Sequence, residues 1–328
     1  VSRPTHARPL RSYNPGYALV VAAPLIWATT GVLIKYLLDL GAPRLAIAFW
    51  RDAAIALVCL AGLLVLRPQG LRVSRRDLRG FALTGAVSVG LYHALWVTSI
   101  ALNGAAVATV LIYTFPAFVT LGARLFFHEP IRRPQVAALA LALLGCALVV
   151  RTYDPAVLRV SWLGALVGLS TGITHAGYVL FSQRAVQSHS PWVSLAYTML
   201  FGALALLAMN LTLAPRHMFA VGDTALPWLV LLALALGPTL GGYVLFTAAL
   251  RHIPGRVASL IAVIEAPASA LLAALFLGER LEWPQLLGMA LILGAIGLPR
   301  LISNRRPTTD DRQPTTEERA VMSGRPAD

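Results

Sequence analysis

Glu265 stands near the middle of LIAVIEAPASALLAALF, residues 260–276, a run that is otherwise almost wholly apolar and also carries Pro267. An acidic side chain at the centre of a membrane helix costs about 2.5–3.5 kcal/mol on insertion scales. Such a carboxyl must be neutral, paired or wet. Three chemistries fit the residue. It can hold a cationic group, take up and release a proton, or stay protonated and bond a neighbouring helix.

Other apolar blocks carry polar and aromatic groups at helical spacing. Thr171, His175, Tyr178 and Ser182 share one helix face, as do Thr109, Tyr113, Pro116 and Thr120. Tyr92, His93, Trp96 and Ser99 cover a broader face, Glu265 pairs with Ser269, Trp27 with Thr30 and Gly31, and Tyr243 sits beside Gly241 and Gly242. Polar groups in membrane helices face protein or water. The expected lining of a shared cavity is therefore Trp27, Tyr92, His93, Trp96, Tyr113, His175, Tyr178, Tyr243 and Glu265, with Glu265 as a candidate for proton coupling. Aromatic faces attract an ammonium group by up to about 2 kcal/mol when desolvated. Plainer roles stand beside these. Hydroxyls bond their own helix backbone, and histidines, Tyr113 and Trp96 serve as packing. Arg51, next to Asp52, reads as a structural tie or gate element rather than a ligand. Lys35 and Arg124 lie near helix ends, where long side chains snorkel. Pro24, Pro116, Pro238 and Pro267 interrupt four of the blocks and are candidate hinges.

The elements that must position these groups follow from composition. The 328 residues are 57% hydrophobic and 12% charged, against about a quarter charged in soluble domains. Apolar blocks of bilayer-crossing length predict helices near 16–38, 43–66, 78–102, 104–126, 134–151, 161–185, 191–213, 226–250, 254–276 and 284–302. Glycine and proline punctuate the breaks, as in DLGAP, LNGA, HEPIRRP and RHIPG. The first block reads as a span, not a cleaved leader. The net charge of +13 comes from arginines in short loops, which sets membrane orientation and does not call for nucleic acid. With the first end inside, sixteen arginines fall on the inner side and five on the outer, the far tail excluded. Both ends are thus expected in the cytoplasm. Cys59 and Cys146 fall inside apolar blocks and read as packing. No GxxxxGK or filter motif is present and no aspartate-rich pair occurs within the apolar blocks, so no cofactor or metal is expected, and an enzyme or channel is the weaker reading.

The chain also repeats itself. FFHEPIRRPQVAALALALLG (126–145) aligns with FLGERLEWPQLLGMALILGA (276–295) at an offset of 150, matching Glu129 with Glu279 and Pro134–Gln135 with Pro284–Gln285. Near an offset of 148, Pro43 matches Pro191 and Trp27 matches His175. Five spans is an odd number, so the second copy enters the membrane from the opposite face. The expected division is a segment 1–15, repeats 16–151 and 161–302, and a disordered tail 303–328. The fold expected is all-α, ten spans in two inverted five-helix repeats.

PLIWATTGVLIKYLL (24–38), AFWRDAAIAL (48–57), YHALWVTSIALNGAAVATVL (92–111) and FLGERLEWPQLLGMALILGAIGL (276–298) resemble, in that order, the motifs of the drug/metabolite transporter superfamily in its ten-helix EamA-type branch. Within it the chain is most similar to bacterial amino-acid exporters of the YddG type. The resemblance implies an inner-membrane permease that exports small metabolites, amino acids prominent among them. Its partners would be the substrate and the lipid bilayer, and the resemblance leaves the oligomeric state open. His175 departs from the tryptophan of many relatives. The orientation is checked by single cysteines at Arg72 and His217 in a background lacking Cys59 and Cys146. Arg72→Cys is expected to react with impermeant maleimide only after the membrane is opened, and His217→Cys in intact cells.

Overall fold

A computed structural model describes residues 14–156, 161–277 and 280–303. Residues 1–13, the tail from 304 and Glu279, to which expectations were attached, lie outside them. All regular elements among the described residues are helical. They form ten rods: α1 (Pro15–Asp39), α2 (Arg44–Leu66), α3 (Arg75–Gly104), α4 (Ala106–Phe127), α5 (Arg133–Val149), α6 (Trp162–Ser188), α7 (Pro191–Leu213), α8 (Ala225–Ala249), α9 (Gly255–Ala262 with Glu265–Leu277) and α10 (Trp283–Ser303). Eight are long and apolar enough to cross a bilayer; Arg133–Val149 and Trp283–Leu298 are shorter apolar helices. Leu57, Val65, Leu83, Leu125, Leu213 and Leu275 are each well exposed on the outside of the bundle. That arrangement suits lipid as the surrounding solvent.

The sequence marks its own helix starts. Ser161 and Ser190 accept backbone N–H groups of Gly164 (3.0 Å) and Val193 (3.2 Å) as N-caps. Gln135 and Gln285, matched by the repeat, do the same work in α5 and α10. Each accepts a backbone N–H three residues back, from Arg132 and Glu282, at 2.9 Å.

Packing obeys the repeat. α2 lies against α7, α4 against α9 and α5 against α10; α1 packs on α8 and α9, and α6 on α3 and α4. Exchanging α1–α5 for α6–α10 maps this set onto itself, as a two-fold relation between halves requires. Two repeat-matched pairs meet near that axis. Trp27 and His175 have ring centroids 6.3 Å apart, and His93 Nε2 lies 3.2 Å from the Tyr243 hydroxyl.

Contacts between helix ends sort the ends into two sets. Asn14 donates to the His252 carbonyl, Tyr197 to Leu71 O at 2.6 Å, and Arg256 pairs with Glu129 at 3.0 Å. At the other end Asn210 donates to Leu45 O, Asn103 to Gly164 O, and Arg151 pairs with Glu282. These contacts put alternate chain breaks on opposite sides, the pattern expected of ten successive crossings.

Several rods are not continuous. α4 is interrupted at Tyr113–Thr114 and α9 at Val263–Ile264, matching places in the two halves. Pro116 and Pro267 follow three to four residues later. A proline ring clashes with the carbonyl four residues back and supplies no N–H to it, which puts the break there. Pro238 lies inside the π-helical turn Ala235–Thr239 of α8. The Leu234 carbonyl, four residues before it, accepts the Thr239 hydroxyl instead, at 2.7 Å. α3 carries its own π-helical stretch, Thr84–Leu91, at the matching level without a proline. α1 breaks after Trp27, beyond Pro24, so Pro24 does not mark that bend.

α5 and α10 cross at glycines. A Cβ at Gly145 would come 2.6 Å from Gly288 O, and one at Gly288 would come 2.5 Å from Gly145 O. Gly145→Ala and Gly288→Ala are each expected to destabilise the bundle by about 1–3 kcal/mol through forced separation of the rods. Gly294→Ala, at a position with open space, is the control. Thermal denaturation in detergent checks this, and midpoints matching the control would contradict the crossing.

Candidate functional site

The interrupted rods surround a small cavity between the two halves. Its wall includes Trp27 and Thr30 of α1, Arg51 of α2, Tyr92, His93 and Trp96 of α3, Tyr113 and Phe115 of α4, His175 of α6, Tyr243 of α8 and Glu265 of α9. Eight of the nine side chains expected from the sequence are thus brought together. Tyr178 is not. It is fully buried beside the cavity, where its hydroxyl bonds Thr247 at 2.6 Å. It stays in the aromatic cluster through Tyr243, at 5.1 Å between centroids.

The lining is mostly aromatic. His175 packs on Tyr92 at 4.8 Å and edge-on against Phe115 at 4.7 Å. Trp27 meets Tyr243 at 5.4 Å and Phe246 at 5.3 Å. Towards the C-terminal end of α8, Phe246 and Thr247 are fully buried, so a packed layer lies on that side. Near the opposite set of helix ends Lys35, Asp39, Arg44 and Gly104 border a surface recess. Most of the expected hydroxyls take the plainer role. Thr120 bonds Pro116 O at 2.8 Å and Thr171 bonds Gly168 O at 2.5 Å, while Thr30, Thr109 and Thr239 border the cavity.

Two ionisable side chains stand in this wall. Glu265 is partly exposed to the cavity and shares a hydrogen bond with the Tyr113 hydroxyl. The break at Val263–Ile264 makes Glu265 the first residue of the second half of α9, which delivers its carboxyl to the opening. The other is Arg51, read from the sequence as a structural tie or gate element, which lines the cavity. Arg51, Asp52 and His93 are all essentially inaccessible to solvent. Asp52 Oδ2 lies 2.7 Å from His93 Nδ1, and Oδ1 lies 3.4 Å from Arg51 Nε. With Asp52 ionised and the His93 ring neutral, His93 donates from Nδ1 to Asp52 and accepts the Tyr243 O–H at Nε2. Asp52 was passed over in the sequence, although a carboxylate within an apolar block is the same signal that singled out Glu265.

The sequence matches the EamA-like transporter family twice, over residues 14–151 and 162–299. The chain belongs to this family: it is a multi-pass membrane transporter and not an enzyme. An uncharacterized transporter of Archaeoglobus fulgidus is 28% identical over 290 residues, 87% of this chain and 96% of its own. A probable terminal-alkyne amino-acid exporter of Streptantibioticus cattleyicolor is 29% identical over 310 residues, 92% and 97% of the two chains. The pseudopaline exporter of Pseudomonas aeruginosa is 27% identical over 238 residues, 72% and 78%. A solved crystal structure shares the fold with a TM-score of 0.75 over 90% of this chain and 99% of its own, at 18% identity.

The buried network sets a stability order. Asp52→Ala leaves a buried guanidinium without its carboxylate and is expected to cost about 3–5 kcal/mol. Tyr243→Phe removes one neutral bond and is expected to cost about 1 kcal/mol. Denaturation of the purified variants checks the order; equal losses would mean that Asp52 is not shared as described.

Proposed function

We propose that the protein exports small zwitterionic metabolites, amino acids foremost, across a bacterial inner membrane by alternating access. The observation that carries this reading is the cavity between the two repeats, aromatic over most of its wall and charged at two places. Aromatic faces and a carboxylate attract an ammonium group, and a mostly apolar wall accepts varied side chains. Interrupted helices are tolerated at membrane depth where they are buried in protein or line such a space, and inverted repeats characteristically place binding there. Relatives named for different cargoes leave the choice of substrate to this lining. The termini are assigned to the cytoplasm by the arginine asymmetry of the loops.

In this scheme the prolines beside the breaks of α4 and α9 let half-helices swing. The layer around Phe246, Tyr178 and Thr247 parts when the cavity opens to the other side. Glu265 holds the substrate amino group and exchanges it for a proton.

Proteoliposomes loaded with a panel of labelled amino acids, with and without a pH gradient, test the reading. Flux of at least one amino acid, faster with the gradient, is the expected result. Glu265→Gln is expected to abolish accumulation driven by the gradient and to leave exchange between labelled and unlabelled substrate. No flux of any amino acid in either direction would defeat the substrate class. Equal pH dependence in wild type and variant would remove the proton role of Glu265.

A further inference from the structure

We propose that Arg51 is the anion-binding group of the cavity, so that the exported molecule must present a carboxylate to it. This rests on the export reading above and adds the recognition element it lacks. Arg51 is 1% exposed, yet it is part of the cavity wall. A guanidinium stays charged in proteins and offers five donors in a rigid fork that matches a carboxylate. Here the fork is mostly unused. The side chain's one hydrogen bond among the described residues is from Nε to Asp52, at 3.4 Å. Its Nη2 is buried without any partner. Charge-assisted N–H to carboxylate bonds are normally about 2.7–2.9 Å long and often paired.

The neighbouring acids do not fill the gap. Asp52 is adjacent in sequence and so points about 100° away around α2. Its shorter bond, 2.7 Å, goes to His93. Glu265, the carboxyl in the wall, bonds Tyr113 instead. Tyr92, also in the wall, lies within electrostatic range of both Arg51 and Glu265. A buried donor of this strength left unpaired is costly. A carboxylate entering from the cavity would complete the fork in surroundings poor in water. The same charge repels cargo that is purely cationic. A molecule with both groups meets both poles; an ester or an amine lacks the group that Arg51 requires.

The test uses the full-length protein in nanodiscs, with binding read from Trp27 and Trp96 fluorescence and from thermal stabilisation. The probes are L-leucine, leucine methyl ester, 3-methylbutylamine and 4-methylpentanoate, with the matching phenylalanine series. Leucine and 4-methylpentanoate are expected to bind at least about 10-fold more tightly than the ester and the amine, the worth of a charge-assisted pair. Arg51→Gln is expected to erase that difference. Arg51→Lys, which keeps the charge without the fork, is expected to retain part of it. Where Arg51→Gln does not fold, the wild-type series and Arg51→Lys decide. Ester and amine that bind and cross as well as leucine overturn the Arg51 assignment and leave export standing. Acids that bind through Arg51 while no amino acid binds overturn the amino-acid reading and leave Arg51 standing. Binding by no probe overturns both.

Discussion

A guanidinium cannot be neutralised, and Arg51 is held inside a protein whose outer surface is built for lipid. That constraint organises the interior. A charge that cannot be discharged needs a carboxylate, water or cargo. Asp52 supplies part of the first, and it is fixed by His93 and Tyr243 from two further rods. The remaining donors need open space. Open space at membrane depth requires rods that bend apart, and bent rods expose backbone groups that lipid cannot satisfy. The breaks of α4 and α9 therefore fall at the level of Tyr113 and Glu265, where the exposed groups meet the cavity. The Thr239 hydroxyl covering the carbonyl that Pro238 abandons shows the same rule inside α8.

The repeat supplies the scaffold and departures from it supply the chemistry. Trp27 meets its counterpart His175, and His93 bonds its counterpart Tyr243, so the axis of the molecule runs through the aromatic cluster. The charged groups have no such partners. At the offset of 148, Arg51 and Asp52 correspond to Met199 and Leu200; at 150, Glu265 corresponds to Phe115. Each half thus contributes one charged element to a wall that is otherwise shared. A cavity with an exact two-fold would present the same pole twice. The departures give it two unlike poles, which is what an asymmetric zwitterion needs.

The sequence disclosed the scaffold more fully than the site. Spans were legible because lipid demands long apolar blocks, and the repeat because Pro134–Gln135 and Pro284–Gln285 fill one structural role twice: each glutamine caps its helix in the same way. The aromatic lining was legible because large polar-tipped rings have few reasons to recur on one face of a membrane helix. Tyr178 shows the limit of that argument. Its face was right, but a rotamer turned towards α8 gave its hydroxyl to Thr247. Hydroxyls in general were ambiguous, since a carbonyl one turn back is always within reach. Arg51 was read as a tie or gate element, and its place in the cavity wall was not legible, because the sequence does not tell which face of α2 turns inward. The break in α1 had no readable cause: it lies beyond Pro24, in a stretch, Ala28–Thr29, without glycine or proline.

That break marks a difference between the halves that bears on motion. α1 is interrupted at Ala28–Thr29, while α6, its counterpart, runs unbroken from Trp162 to Ser188. The matching positions in α6 are Ala176 and Gly177. α4 and α9, in contrast, are broken alike. Two sequences built on one template have two ways to share a bent and a straight rod, and they differ only in which half takes which form. Exchange of the forms would carry the packed layer near Phe246 to the opposite side of the cavity while the central poles stay in place. The proposed alternation therefore needs no new packing arrangement. It needs α6 to bend at Gly177, one of its glycines, and α1 to straighten where no proline prevents it.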